Sequence, residues 1–166
     1  RQVLHDSLKK LVKTGDLEKM MAYYNGEDGL EIIAPKSKDG FPVMQTMVAE
    51  IGSGNLSGKM YKGYIPGWGN LTGPEALEHM MQKASENGGD FDPSTGFDYT
   101  QLISKFAMGA VFYNQAVNNY LGSKMEIGQK PNNKPYKDGA YYTGKEHSWD
   151  EAFGYWGAPA HSLTLT

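Results

Sequence analysis

Tyr99, Leu102, Ile103, Phe106, Ala110, Tyr113, Val117, Tyr120 and Leu121 hold a 3–4 spacing through six turns, and no other stretch of this 166-residue chain limits its fold as sharply. Such a run predicts an amphipathic helix, opened by a cap at Asp98-Tyr99-Thr100-Gln101 and closed by Gly122. A second face, formed by Ala107, Val111, Asn114 and Asn118, predicts burial on more than one side.

Shorter helices are expected around it. Leu4, Leu8 and Leu11, then Leu17, Met21 and Tyr24, keep helical spacing on either side of Thr14-Gly15-Asp16, which suits one bent helix or two short ones capped at Asp16. Asn25-Gly26 stops that segment. Pro42 stands where a first turn tolerates it, ahead of Val43, Met47, Val48 and Ile51. Thr72-Gly73-Pro74-Glu75 combines a capping box with an early proline and opens a helix whose inner stripe is Leu77, Met80, Met81 and Ala84. Thr143-Gly144-Lys145-Glu146 is a second capping box, and places Trp149, Ala152, Phe153 and Trp156 on one stripe. Residues 52–73, rich in glycine and carrying Tyr61, Tyr64 and Trp68, are expected to pack through their aromatic rings; residues 126–142 read as a connector. Together these predict an all-α fold, a single helical domain over 1–166 with four to five helices joined by long glycine-rich loops. No fixed-period repeat stands out.

Composition narrows the function classes. With 39% hydrophobic and 21% charged residues the chain can bury a core, so a disordered reading is excluded. A net charge of −3 without a Lys/Arg stripe argues against nucleic acid as a partner. Apolar runs fall far short of the roughly 20 residues of a membrane span. Zero cysteines remove disulfides, zinc ribbons and thiol nucleophiles. Apolar periodicity already runs by Val3 and Leu4, so the chain is expected to be a fragment of a longer one.

The densest chemistry lies in Glu146-His147-Ser148-Trp149-Asp150-Glu151. On a helix His147 shares a face with Asp150, three residues on, and Glu151, four on, which makes a half-site for a divalent cation such as iron, zinc or calcium. The spacing is not the His-Glu-x-x-His of zinc peptidases. Glu146 is accounted for by the capping box. Tyr113, Asn114 and Asn118, with Gln115 and Asn119, form a polar group on the central helix; inward amides need partners, so they line a ligand pocket or act as polar glue. The carboxylates of Asp90, Asp92 and Asp98 invite a calcium reading, but Thr95 and Gln101 depart from the EF-hand loop and a helix-capping turn explains them more cheaply. His5, His79 and His161 have no assignable partner in the sequence.

Residues 112–121 (Phe-Tyr-Asn-Gln-Ala-Val-Asn-Asn-Tyr-Leu) and 146–157 (Glu-His-Ser-Trp-Asp-Glu-Ala-Phe-Gly-Tyr-Trp-Gly) resemble a bacterial domain family of unknown function distantly related to imelysin. The resemblance extends over roughly residues 98–157. It implies imelysin-like helical bundles in an exported protein, periplasmic or on the cell surface, often a lipoprotein. It also implies links to iron uptake and a Gly-x-His-x-x-Glu signature, in which His147 matches the histidine, Asp150 stands at the acid and Lys145 at the glycine. One histidine and one acid under-ligate a catalytic metal. The leading expectation is therefore an exported, non-enzymatic binding domain for a divalent cation or iron-containing ligand. The alternatives are a subunit of an extracellular assembly, built on contacts with other subunits, with further copies of itself or with the remainder of its own chain, and a metal-dependent peptidase-like hydrolase.

Overall fold

A computed structural model describes residues 1–33, 45–52 and 54–157. It is mostly helical: among the described residues there are six α-helices and one two-stranded hairpin. By compactness the chain divides into two units, Arg1–Ala110 and Val111–Thr166. Among the described residues no helix is long and apolar enough to cross a membrane.

In the first unit, α1 (Gln2–Val12) and α2 (Leu17–Asn25) are separate helices. The break follows from Gly15 at φ 67° and from Asp16, whose carboxylate accepts from the Lys19 N–H at 3.0 Å and so starts a new helix. Gly26, left-handed at φ 63°, ends α2. Helix α3 (Val48–Ile51) is one turn long, and Glu50 caps it by accepting from the N–H groups of Thr46 and Met47. Pro42 and Val43 lie outside the described residues.

Helix α4 (Gly73–Glu86) has the capping box its sequence announces, and Leu77, Met80, Met81 and Ala84 are fully buried, joined by Ala76. Each such large apolar side chain contributes about 1.5–3 kcal/mol of burial. The loop before α4 is anchored differently from expectation. Leu56 and Met60 are its buried residues, while Tyr61 and Tyr64 are exposed, because a short 3-10 turn at Ser57–Lys59 turns the aliphatic side chains inward. Trp68 is half-buried and meets the edge of His79 at 6.2 Å.

The acidic segment forms a hairpin, β1 (Phe91–Asp92) with β2 (Phe97–Asp98). Its carboxylates are used locally. Asp92 accepts from the Ser94 N–H at 2.8 Å and from the Ser94 and Thr95 hydroxyls, and Asp98 caps α5 (Tyr99–Ala107) through the Gln101 N–H at 2.9 Å. His5, without a partner in the sequence, is buried on α1 with its Nε2 3.1 Å from the Ser104 carbonyl of α5.

The central helix does not keep one winding. After Ala107 it continues as a π-helical segment, Met108–Tyr120, and Leu121 donates to the Ala116 carbonyl five residues back. The wider turn breaks the predicted stripe. Buried positions in this segment are Ala110, Val111, Gln115, Ala116 and Tyr120, whereas Tyr113 and Leu121, placed inward by 3.6-residue spacing, are 60% and 45% exposed.

In the second unit, helix α6 (Gly144–Trp156) also turns otherwise than expected. Its inner face is Gly144, Ser148, Ala152 and Tyr155. Trp149, Phe153 and Trp156 are exposed, with Trp149 and Phe153 nearly parallel at 6.1 Å. The core of this unit is small: Ala116, Tyr120, Ala152 and Tyr155, flanked by Phe112 and Val117, with Tyr120 and Tyr155 stacked at 5.5 Å.

A local device recurs in the two units. Loops 64–72 and 135–143 are of equal length, each closed by one antiparallel bridge, Tyr64 with Thr72 and Pro135 with Thr143. Matching hydrogen bonds follow, Ile65 N–H to Leu71 and Tyr136 N–H to Tyr142. Each loop ends in Thr-Gly-x-Glu and runs straight into a capped helix. Both glycines are buried against the incoming chain. A Cβ on Gly73 would fall on the Tyr61 carbonyl, and one on Gly144 would lie 2.8 Å from Pro131 Cδ.

Candidate functional site

The start of α6 is built by its capping box. The Thr143 N–H donates to Glu146 at 2.7 Å, and the Glu146 N–H donates to the Thr143 hydroxyl at 3.2 Å. That Thr143 N–H, and the Thr143 hydroxyl after it, hold the Glu146 carboxyl below its ordinary value. The box therefore stabilises α6 fully above the unfolded glutamate value of about 4.3, and the contribution fades as pH falls through the lower folded value. A carboxyl-carbon NMR titration of Glu146 is expected to give a midpoint below that of a free glutamate. An ordinary midpoint would mean that the box is open in solution.

The bridge at Thr143 brings two tyrosines over the next turn of α6. The His147 ring stacks on Tyr136 at 4.3 Å and on Tyr142 at 5.7 Å, with interplanar angles of 30° and 26°. Its Nε2 lies 3.7 Å from a Glu151 carboxylate oxygen, within ion-pair range. Ser148 donates its hydroxyl to the Tyr120 carbonyl at 2.9 Å, tying α6 to the end of the π-helical segment. Lys124 lies over the Tyr120 ring, 3.6 Å from its centre, and Lys130 stands 5.9 Å from the centre of Tyr136. Lys145 turns away and donates to the carbonyls of Met125 and Glu126.

These groups surround a cleft of about 240 Å3 lined by Tyr120, Lys124, Lys130, Tyr136, Gly144, His147, Ser148 and Glu151. Of the residues singled out in the sequence, the structure brings together His147 and Glu151. Asp150 is exposed and outside the lining. Among the described residues, no group of three or more His, Asp or Glu side chains is arranged to hold a metal ion.

Tyr113, Asn114 and Asn118 are also outside the lining. Asn118 donates to Asn114 at 3.2 Å and Asn119 to Gln115 at 2.8 Å, so these amides pair along their own helix. Sequence reasoning passed over Lys124, Lys130, Tyr136 and Ser148 as site residues. Helical spacing relates residues on one helix, whereas Lys130 and Tyr136 come from the connector. The usable signal was Pro135-Tyr136 standing eight residues ahead of the Thr-Gly-x-Glu box, the same interval as Tyr64-Ile65 before the other box.

No curated protein and no solved structure matches the chain. A family profile matches residues 80–165, which includes the hairpin, the central helix, the tyrosine loop and all of α6. That match covers more than half of the 166 residues, and the chain therefore belongs to the family described as Domain of unknown function (DUF4856).

Proposed function

We infer that the chain is a non-enzymatic binding module of an exported, imelysin-like protein and takes a small ligand in the α6 cleft. One observation carries this reading: the imidazole of His147 is stacked on Tyr136 in a three-ring cluster with Tyr142 and stands beside Glu151, at the wall of a cavity of about 240 Å3. Such prepositioning lowers the ordering cost of binding. Catalysis is less well supported. Ser148, next to the histidine, commits its proton to the Tyr120 carbonyl, and a hydrolytic metal needs a third protein ligand besides His147 and Glu151. A divalent cation or an iron-containing ligand would meet these two donors and bring the rest of its own coordination.

A subunit of an extracellular assembly is the second reading, favoured by the exposed Trp149, Phe153 and Trp156 on α6. One set of preparations separates the two. Small ligands and divalent cations are screened by thermal shift, and hits are followed by NMR of the His147 ring. Binding in the cleft predicts hits that move the ring signals and weaken about tenfold in His147→Ala, the size expected for one charge-assisted contact. Hits that leave the ring unmoved, together with concentration-dependent sedimentation, would transfer support to the assembly reading.

A further inference from the structure

We propose that the 135–143 loop is a strap at the α6 cleft that opens and recloses, with the stack of Tyr136 on His147 as its latch. This rests on the reading that the cleft takes a small ligand, and adds how the ligand enters. The 64–72 loop, built to the same plan, is the internal reference. Each loop has one closing bridge and a matching backbone bond, from Tyr136 N–H to Tyr142 at 2.8 Å and from Ile65 N–H to Leu71 at 2.9 Å.

What the loops rest on differs. In the first, Ile65, Trp68 and Leu71 are half-buried, and bonds from Trp68 N–H to Ile65 and from Leu71 N–H to Trp68 brace the interior. The helix it enters carries Ala76, Leu77 and Met80, all fully buried in the core. At the same offsets from the box threonine, α6 carries His147, Ser148 and Glu151, and all three line the cavity. The second loop leaves Tyr136, Tyr141 and Tyr142 exposed, and Ala140 N–H to Lys137 braces its interior. Tyr136 is at once part of this loop and part of the cavity wall. Its ring lies 4.3 Å from His147, and Tyr142 completes the cluster at 6.0 Å and 5.7 Å. A segment with little buried apolar surface and exposed backbone bonds is the kind that opens locally. When it lifts, Tyr136 leaves the wall and the cavity widens toward solvent.

Amide hydrogen exchange of the full chain, read residue by residue by NMR, tests this without any ligand. The Tyr136 N–H is expected to be about tenfold less protected than the Ile65 N–H, the difference that one half-buried apolar side chain makes. In His147→Ala its protection should fall by a further factor of about three to ten, the range for one ring contact. The Ile65 and Ala152 amides should keep their wild-type values. His147→Phe retains a ring for Tyr136 to stack on, and should exchange as wild type does. Equal protection at Tyr136 and Ile65 in the wild type overturns the proposal, as does an unchanged Tyr136 in His147→Ala. A loss in that variant that reaches Ala152 also overturns it, since the imidazole would then hold up α6 and not latch the loop. Exchange as expected, with no hit in the thermal-shift screen, would support the strap and sink the binding reading alone.

Discussion

Tyr155→Ala is expected to cost the second unit about 3–5 kcal/mol, the range for an aromatic ring removed from a core. Tyr155 is 6% exposed, stacks on Tyr120 at 5.5 Å and lies 6.4 Å from Phe112, in a core whose other buried members are Ala116 and Ala152. Two alanines cannot collapse into the space one tyrosine leaves. A small domain holds only about 5–15 kcal/mol in total, so this loss is a large share of its stability. Phe153→Ala, two residues earlier and on the exposed side of α6, should change stability by no more than about 0.5 kcal/mol. Denaturant unfolding followed by amide NMR signals from residues 111–157 measures both. Equal losses would show that α6 is rotated from the placement described above.

Gly73→Ala is the second large effect. Two terms oppose each other at this site. Alanine is the better helix former by about 1 kcal/mol, and nothing in the backbone of Gly73 needs a left-handed conformation. Its Cβ, however, would fall on the Tyr61 carbonyl, a backbone atom that can move only if the loop ahead of α4 moves. That loop is pinned by Leu56 and Met60 in the core and by the Tyr61 N–H bond to Ala110 at 2.7 Å. Overpacking of this kind costs about 1–3 kcal/mol, so the steric term wins and the variant is destabilised. Gly144→Ala should follow in the same direction with a smaller loss, since its new methyl would meet the ring carbon of Pro131 at 2.8 Å. Thermal unfolding of the two variants ranks them. A stabilised Gly73→Ala would mean that the loop does not press on the helix start.

Helix starts were the most legible part of the chain. Asp16, Thr72, Asp98 and Thr143 all sit at the N-terminus of a helix: the side chains of Asp16, Asp98 and Thr143 accept an N–H that the helix cannot satisfy, and at Thr72 the Glu75 carboxylate accepts from the Thr72 N–H and hydroxyl. The inner stripe of α4 was legible for a related reason: regular α-winding makes 3–4 spacing coincide with one face, and Leu77, Met80, Met81 and Ala84 are buried together. The same rule failed on the central helix past Ala107, where π-winding shifts each successive turn and carries Tyr113 outward. It failed again on α6. There the small residues Ser148 and Ala152 face inward with Tyr155, while the larger Trp149 and Phe153 stay outside.

The candidate site shows the same division. His147 and Glu151 are four residues apart on one helix, and local geometry alone brings them within 3.7 Å. The helical fold class, the caps and this pair are short-range properties, set within one or two turns by hydrogen bonding and side-chain size, so the amino-acid order was enough to state them. The two tyrosine rings on His147, the lysines at the cavity edge and the exclusion of Asp150 and the Asn114–Asn118 pair required the chain to be folded. They depend on where the 135–143 loop closes and how far the central helix is underwound, and neither is encoded in side-chain spacing along a single helix.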